Sequence, residues 1–121
     1  MTKNNIIAVV IFFSVLLFVF IYRIYFSNNM SASLTVIVND AGFIPEHIVV
    51  SKNSRVTWVN KGTLPHWPAS DFHPTHGIYP EFDPKREIDP NGEWSFEFDK
   101  VGNWHFHDHL NPSVRGVVEV K

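Results

Sequence analysis

The chain has 121 residues, a formal net charge of −2, 15% aromatic residues and no cysteine. That length suits one domain, and a near-neutral chain without a basic block gives nucleic acid no electrostatic footprint. The missing cysteine excludes disulfides, thiolate catalysis and every cysteine-based metal site.

The chain opens on an apolar run. Residues 6–22 read IIAVVIFFSVLLFVFIY, with Ser14 the one clearly polar member, and Ile24, Tyr25 and Phe26 continue it beyond Arg23. As a helix, residues 6–26 would span about 31 Å, close to the hydrocarbon thickness of a bilayer. Arg23 can snorkel to the headgroups, and Tyr22 and Tyr25 suit the interface. Nothing in the run is amphipathic, which argues against a buried core helix. It is longer than a usual signal-peptide core, so a transmembrane anchor over residues 1–27 is expected. The small residues Ser31, Ala32 and Ser33 make a cleaved signal the alternative. Lys3 and the terminal amine oppose Arg23, so charge sets the orientation only weakly. Residues 28–33 read as a polar linker and residues 34–121 as the folded domain.

Residues 34–38 (LTVIV), 48–50 (IVV), 56–59 (VTWV), 94–98 (WSFEF), 103–107 (NWHFH) and 116–120 (GVVEV) read as strands, being rich in β-branched and aromatic residues. Alternation puts Trp94, Phe96 and Phe98 on one core face. Ala41-Gly42 and Asp89-Pro90-Asn91-Gly92 read as turns. Many short strands separated by turns argue a β-sandwich. Residues 61–87 break the pattern: a 27-residue loop containing Pro65, Pro68, Pro74, Pro80 and Pro84. It also carries Trp67, Phe72, Tyr79 and Phe82, too many aromatics for a disordered linker. The expectation is an ordered cap over one end of the sandwich, with all four rings buried.

Seven histidines are present, six of them between His66 and His109. The candidate metal ligands are His66, His73, His76, His107 and His109, with Asp108 and Glu81. Imidazoles and carboxylates without thiolate suit Cu(II), Zn(II), Fe(II) or Ni(II). Strand alternation puts His105 and His107 on one face, opposite Trp104 and Phe106. His105 then reads as solvent-facing, and His107 reaches a metal only where the strand ends. His73 and His76, three apart around Pro74, fit a joint site or an exposed polar tip. Asp108 reads as a ligand or as a carboxylate that orients one. Glu81 reads as a carboxylate ligand or a solvated charge, and His47 as a surface residue. No Ser/His/Asp order can be assigned, and there is no glycine-rich phosphate loop.

Three blocks resemble the cupredoxin (plastocyanin-like) family, together covering residues 34–121. The first is Gly42-Phe43-Ile44-Pro45 with Ile48 and Val50. The second is Val56-Thr57-Trp58-Val59-Asn60, with His66 six residues later. The third is Gly102-Asn103-Trp104-His105-Phe106-His107, a short loop, then residues 115–120 (RGVVEV). The resemblance implies an all-β, Greek-key β-sandwich behind the transmembrane helix. It also implies copper on His66 and His109, and a domain outside the cytoplasm, periplasmic or extracellular. One departure matters: Asp108 stands where the family has its copper-ligating cysteine, and no methionine follows. The only two methionines are Met1 and Met30. A blue-copper site is therefore excluded. His107-Asp108-His109 is also similar to the His-Cys-His run of multicopper oxidases, a role that would need a further site built with His73 and His76. The expectation is a membrane-anchored copper-binding protein, with zinc the alternative ion. Its work would be metal handling, sensing or electron transfer, with a redox or metal-donor protein as partner. Two rivals remain: a copper-dependent oxidoreductase and a metal-free sandwich serving as an interaction domain.

Overall fold

The computed structural model describes residues 2–29 and 33–121, and these fall into two units. The first is one helix, α1 (Lys3–Asn29). Its segment Lys3–Tyr25 is long and apolar enough to cross a membrane or to be a signal sequence. The apolar side chains of that segment are exposed, unlike those of a core helix. The helix overruns the expected residues 6–26 at both ends because the flanking polar residues are compatible with helical backbone and nothing there breaks it. Residues 30–32, within the expected linker and including Ser31 and Ala32 of the alternative cleavage site, lie outside the described residues.

The second unit contains β1 (Ser33–Asn39), β2 (Gly42–Ile44), β3 (His47–Val50), β4 (Ser54–Asn60), β5 (Pro68–Ser70), β6 (Glu93–Phe98), β7 (Gly102–Asp108) and β8 (Asn111–Val120). They form two four-stranded sheets, ordered β2-β1-β4-β6 and β3-β8-β7-β5. The β1–β4 and β3–β8 pairs are parallel, and the other pairs antiparallel. This is the expected all-β sandwich behind one apolar helix. All six expected strands are present. Strands β2 and β5 were not expected, because three residues are too few to display alternation. Strand β5 starts on Pro68, which an edge position tolerates. Strand β8 begins five residues earlier than expected, since Asn111 already pairs with Asp108. His109 and Leu110 are thereby reduced to a two-residue hairpin turn.

Between the sheets lie Val36, Val38, Phe43, Val56, Trp58, Phe98, Phe106, Val118 and Val120, all essentially inaccessible to solvent. Gly116 is required here by close approach. A Cβ on it would lie 2.5 Å from Phe106 Cζ and 2.9 Å from the Glu46 carbonyl oxygen.

The long loop enters this core along one flank. Ser70 N donates to Phe82 O at 2.9 Å, tying the loop to β5. The Phe82 ring stacks on Trp94 and Phe96 of β6 and touches Trp58, Phe98 and Phe106. Tyr79 is buried as well, edge-on to Phe96 and Trp104, and its hydroxyl donates to Asp99. Burial and the Asp99 carboxylate push the Tyr79 hydroxyl up to about 12. The expectation that all four loop aromatics are buried needs correction. Trp67 is half-buried and Phe72 is 67% exposed. Phe72 belongs to a four-residue exposed tip, residues 72–75, beyond the end of β5.

Phe82→Ala should therefore cost about 3–5 kcal/mol, as deletion of a fully enclosed aromatic does. Phe72→Ala should stay within about 0.5 kcal/mol of the parent chain. Urea unfolding of both variants checks this, and equal losses would mean that Phe82 does not carry the loop.

Candidate metal centre

Strand β7 delivers its side chains alternately. His105 is exposed, Phe106 goes into the core, and His107 is fully buried on the opposite face. That opposite face is an outer sheet surface until the loop covers it. Strand β5 lies beside β7, with Ala69 opposite His107. Asp71 follows directly, and its N donates to His105 O at 2.9 Å. The tip then returns through His76, whose N donates to Phe72 O at 2.7 Å. His76 has a φ of +54°, a left-handed conformation uncommon for a non-glycine residue and typical of functional sites. The hairpin turn supplies His109, whose N donates to Trp67 O at 2.7 Å.

Four imidazoles meet as a result. His73, His76, His107 and His109 each present a ring nitrogen, and these four atoms lie within 4.8 Å of one another. His73 Nδ1 lies 3.3 Å from His107 Nε2, and His76 Nε2 lies 2.9 Å from His109 Nδ1. An ion at the 2.0–2.1 Å of imidazole ligation holds its nitrogens about 3.3 Å apart when tetrahedral. The group needs only small side-chain movements to reach that spacing.

Carboxylates fix which nitrogens face the centre. His107 Nδ1 donates to Asp71 Oδ1 at 2.9 Å, and Arg115 Nη1 donates to Asp71 Oδ2 at 2.8 Å. His76 Nδ1 donates to Asp83 Oδ2 at 2.7 Å. Asp83 also accepts from Trp67 Nε1, Lys85 N and Lys85 Nζ. With Nδ1–H committed outward, the Nε2 lone pairs of His76 and His107 point inward, as a metal requires. Burial works against the Asp83 charge. The bonds from Lys85, His76 and Trp67 win, and its carboxyl sits well below the usual carboxylate range. Burial also holds His107 and His109 below the ordinary imidazole value. The Asp71 carboxylate opposes this at His107, while neighbouring imidazoles reinforce it at both. The donor set of neutral imidazoles, two of them locked by carboxylates, fits a borderline divalent ion such as Cu(II) or Zn(II).

The remaining expected site residues fall elsewhere. His66 is buried, but its Nδ1 donates to Asp108 Oδ2 at 2.7 Å rather than joining the four. Asp108 accepts from Trp67 N and Leu110 N on its other oxygen, so both its oxygens are engaged within the fold. His66 Nε2 is buried without a hydrogen-bond partner, 3.5 Å from Asp40 Oδ1. The expected pairing of His66 with His109 is thus not the grouping that the structure brings together. Asp108 occupies His66 instead. Glu81 is exposed and 3.1 Å from Lys100 Nζ. His47 is exposed beside Glu119. Sequence reasoning passed over Asp71 and Asp83. Each lies within two to seven residues of a loop histidine, the one signal available.

No family model matches the chain, and no curated protein matches it. Solved structures do. A purple cupredoxin from Nitrosopumilus maritimus superposes with a TM-score of 0.64 at 18% identity, over 73% of this chain and 99% of that one. A reduced Cu(I) form of an amicyanin mutant at pH 4 gives a TM-score of 0.64 at 20% identity, over 74% and 83% of the two chains. Another reduced amicyanin mutant gives 0.64 at 22% identity, over 74% and 83%. At these identities the likeness establishes the fold.

The lowered His107 and His109 values carry a sign. An imidazole that resists protonation when folded binds its proton more readily when unfolded. Stability present above the ordinary imidazole range, near 6.5, should be lost as pH falls below it towards the depressed folded values. Denaturant titration of the metal-free protein should give a lower midpoint at pH 5 than at pH 7. An unchanged midpoint would contradict neutral, buried imidazoles.

Proposed function

We propose that this chain is a membrane-anchored, extracytoplasmic copper-binding protein serving metal handling or redox. Its ligands in this reading are His73, His76, His107 and His109. The carrying observation is the inward set of imidazole nitrogens, with Nδ1 of His76 and His107 tied to aspartates. Copper is preferred because the donor set suits Cu(II) and because the similar folds include a protein described in a Cu(I) form. Zinc is the alternative ion. Copper would supply one-electron chemistry when bound. The chain's own part is to orient four imidazoles, to screen two of them from water, and to withhold a thiolate. In this reading α1 anchors the domain at the outer membrane surface, and the partner is a redox or metal-donor protein. His66, Asp108 and Glu81 leave the proposed ligand set: His66 Nδ1 and Asp108 are bonded to each other, and Glu81 lies against Lys100.

The full chain, purified in detergent, should bind close to one Cu(II) per molecule. The product should be pale, with an ordinary wide copper hyperfine splitting in its EPR spectrum. His76→Ala and His107→Ala should each weaken binding severely. Asp83→Asn should weaken it about 10–100-fold, and His47→Ala should leave it unchanged. An intense blue or purple colour, or binding that survives the loss of both buried histidines, would refute the site.

The anchor is tested separately. The chain should stay with membranes through a carbonate wash, with the sandwich digested by protease from the outer face alone. A soluble product beginning near Ser33 would overturn it.

A further inference from the structure

The four histidines are not held alike. His76 is 5% exposed and His107 fully buried, each with Nδ1 against an aspartate. His109 is half-buried, with its backbone bonded to Trp67 and its ring centroid 4.7 Å from the Trp67 ring. His73 is exposed. Among the described residues, its only side-chain hydrogen-bond partner is His107 Nε2, itself a member of the group. His73 hangs from the exposed tip formed with Phe72, Pro74 and Thr75. The tip is bounded by two buried residues, Asp71 and His76, that are anchored to β7 and to Asp83. Withdrawing His76 or His107 from the centre would break a bond to a carboxylate and strand polar atoms in a dry setting. Withdrawing His73 breaks no bond to a carboxylate, and its freed imidazole meets water.

From this asymmetry we infer that His73 is the displaceable ligand of the centre. Three anchored histidines retain the ion while an incoming imidazole or thiol donor takes the position that His73 leaves. This rests on the four-histidine reading above and deepens it towards metal handling. The partner it implies is a protein segment presenting an exposed histidine or cysteine. The exchange is a ligand substitution. The bond from the metal to His73 Nδ1 breaks as the bond to the donor forms, and no electron moves. Where the donor is a thiol, its proton passes to the freed His73 imidazole.

The test uses the full chain in detergent, loaded with Cu(II), and the tripeptide Gly-Gly-His as acceptor. Transfer followed by stopped flow should speed up in proportion to acceptor concentration. His73→Ala should keep copper with an affinity within about tenfold of the parent, whereas His107→Ala should lose more than about 100-fold. Free imidazole should alter the EPR spectrum of copper-loaded His73→Ala and restore the parent signature. Three results would each overturn the inference. They are loss of copper by His73→Ala as complete as by His107→Ala, a spectrum indifferent to imidazole, and a transfer rate independent of acceptor. Thermal unfolding of metal-free His73→Ala guards against a folding defect, and His73→Gln provides a second variant. A parent chain that takes up no copper would overturn the four-histidine reading itself, which separates that failure from this one.

Discussion

Phe82 is enclosed by Trp58, Trp94, Phe96, Phe98 and Phe106, and next to it Asp83 is bonded to His76 of the histidine group. A 27-residue connection has no secondary structure strong enough to hold a position by itself. Its closure cost grows only slowly with length, so one or two well-buried aromatics can offset it. Phe82 and Tyr79 do this by entering the flank between β5 and β6. Once they are seated, Asp83 beside Phe82 meets His76, and His76 meets the β7–β8 hairpin. The apolar core therefore positions a polar site without lining it.

The site is built on paired charges. A buried neutral imidazole has one donor and one acceptor nitrogen, and which is which depends on its partner. Asp71 and Asp83 settle that choice for the two most buried histidines. They are themselves restrained, Asp71 by Arg115 and Asp83 by Lys85 and Trp67. The arrangement resembles a scaffold with its orientation set in advance, which lowers the reorganisation needed to take an ion. The same carboxylates would place negative charge near a divalent cation held by the four imidazoles.

Asp108 explains how this sandwich departs from the ligand arrangement implied by resemblance. It stands at the expected cysteine position, where a thiolate would share a metal with His66. A carboxylate there instead accepts a hydrogen bond from His66 Nδ1 and two more from backbone N–H groups. The pair ties the loop start to the end of β7. The histidine group lies on the outer face of the β7 sheet, beneath the loop.

The sequence by itself determined the apolar helix, the all-β class, six of the eight strands and the exclusion of thiolate copper. These rest on local periodicity and composition, which survive without tertiary contacts. It also marked all four clustered histidines as candidates, and it read the opposite faces of Phe106 and His107 from strand alternation. It could not show which candidates converge. Resemblance favoured His66 over His73 as a ligand, whereas in the structure His66 is bonded to Asp108, 42 positions beyond it, and His73 joins the histidine group. Nor could it identify Asp71 and Asp83 as orienting groups, since an aspartate in a proline-rich loop is ordinarily solvated. Only the tertiary structure decided these points, because the hydrogen bonds concerned join residues that lie apart in the chain and meet only in the folded domain.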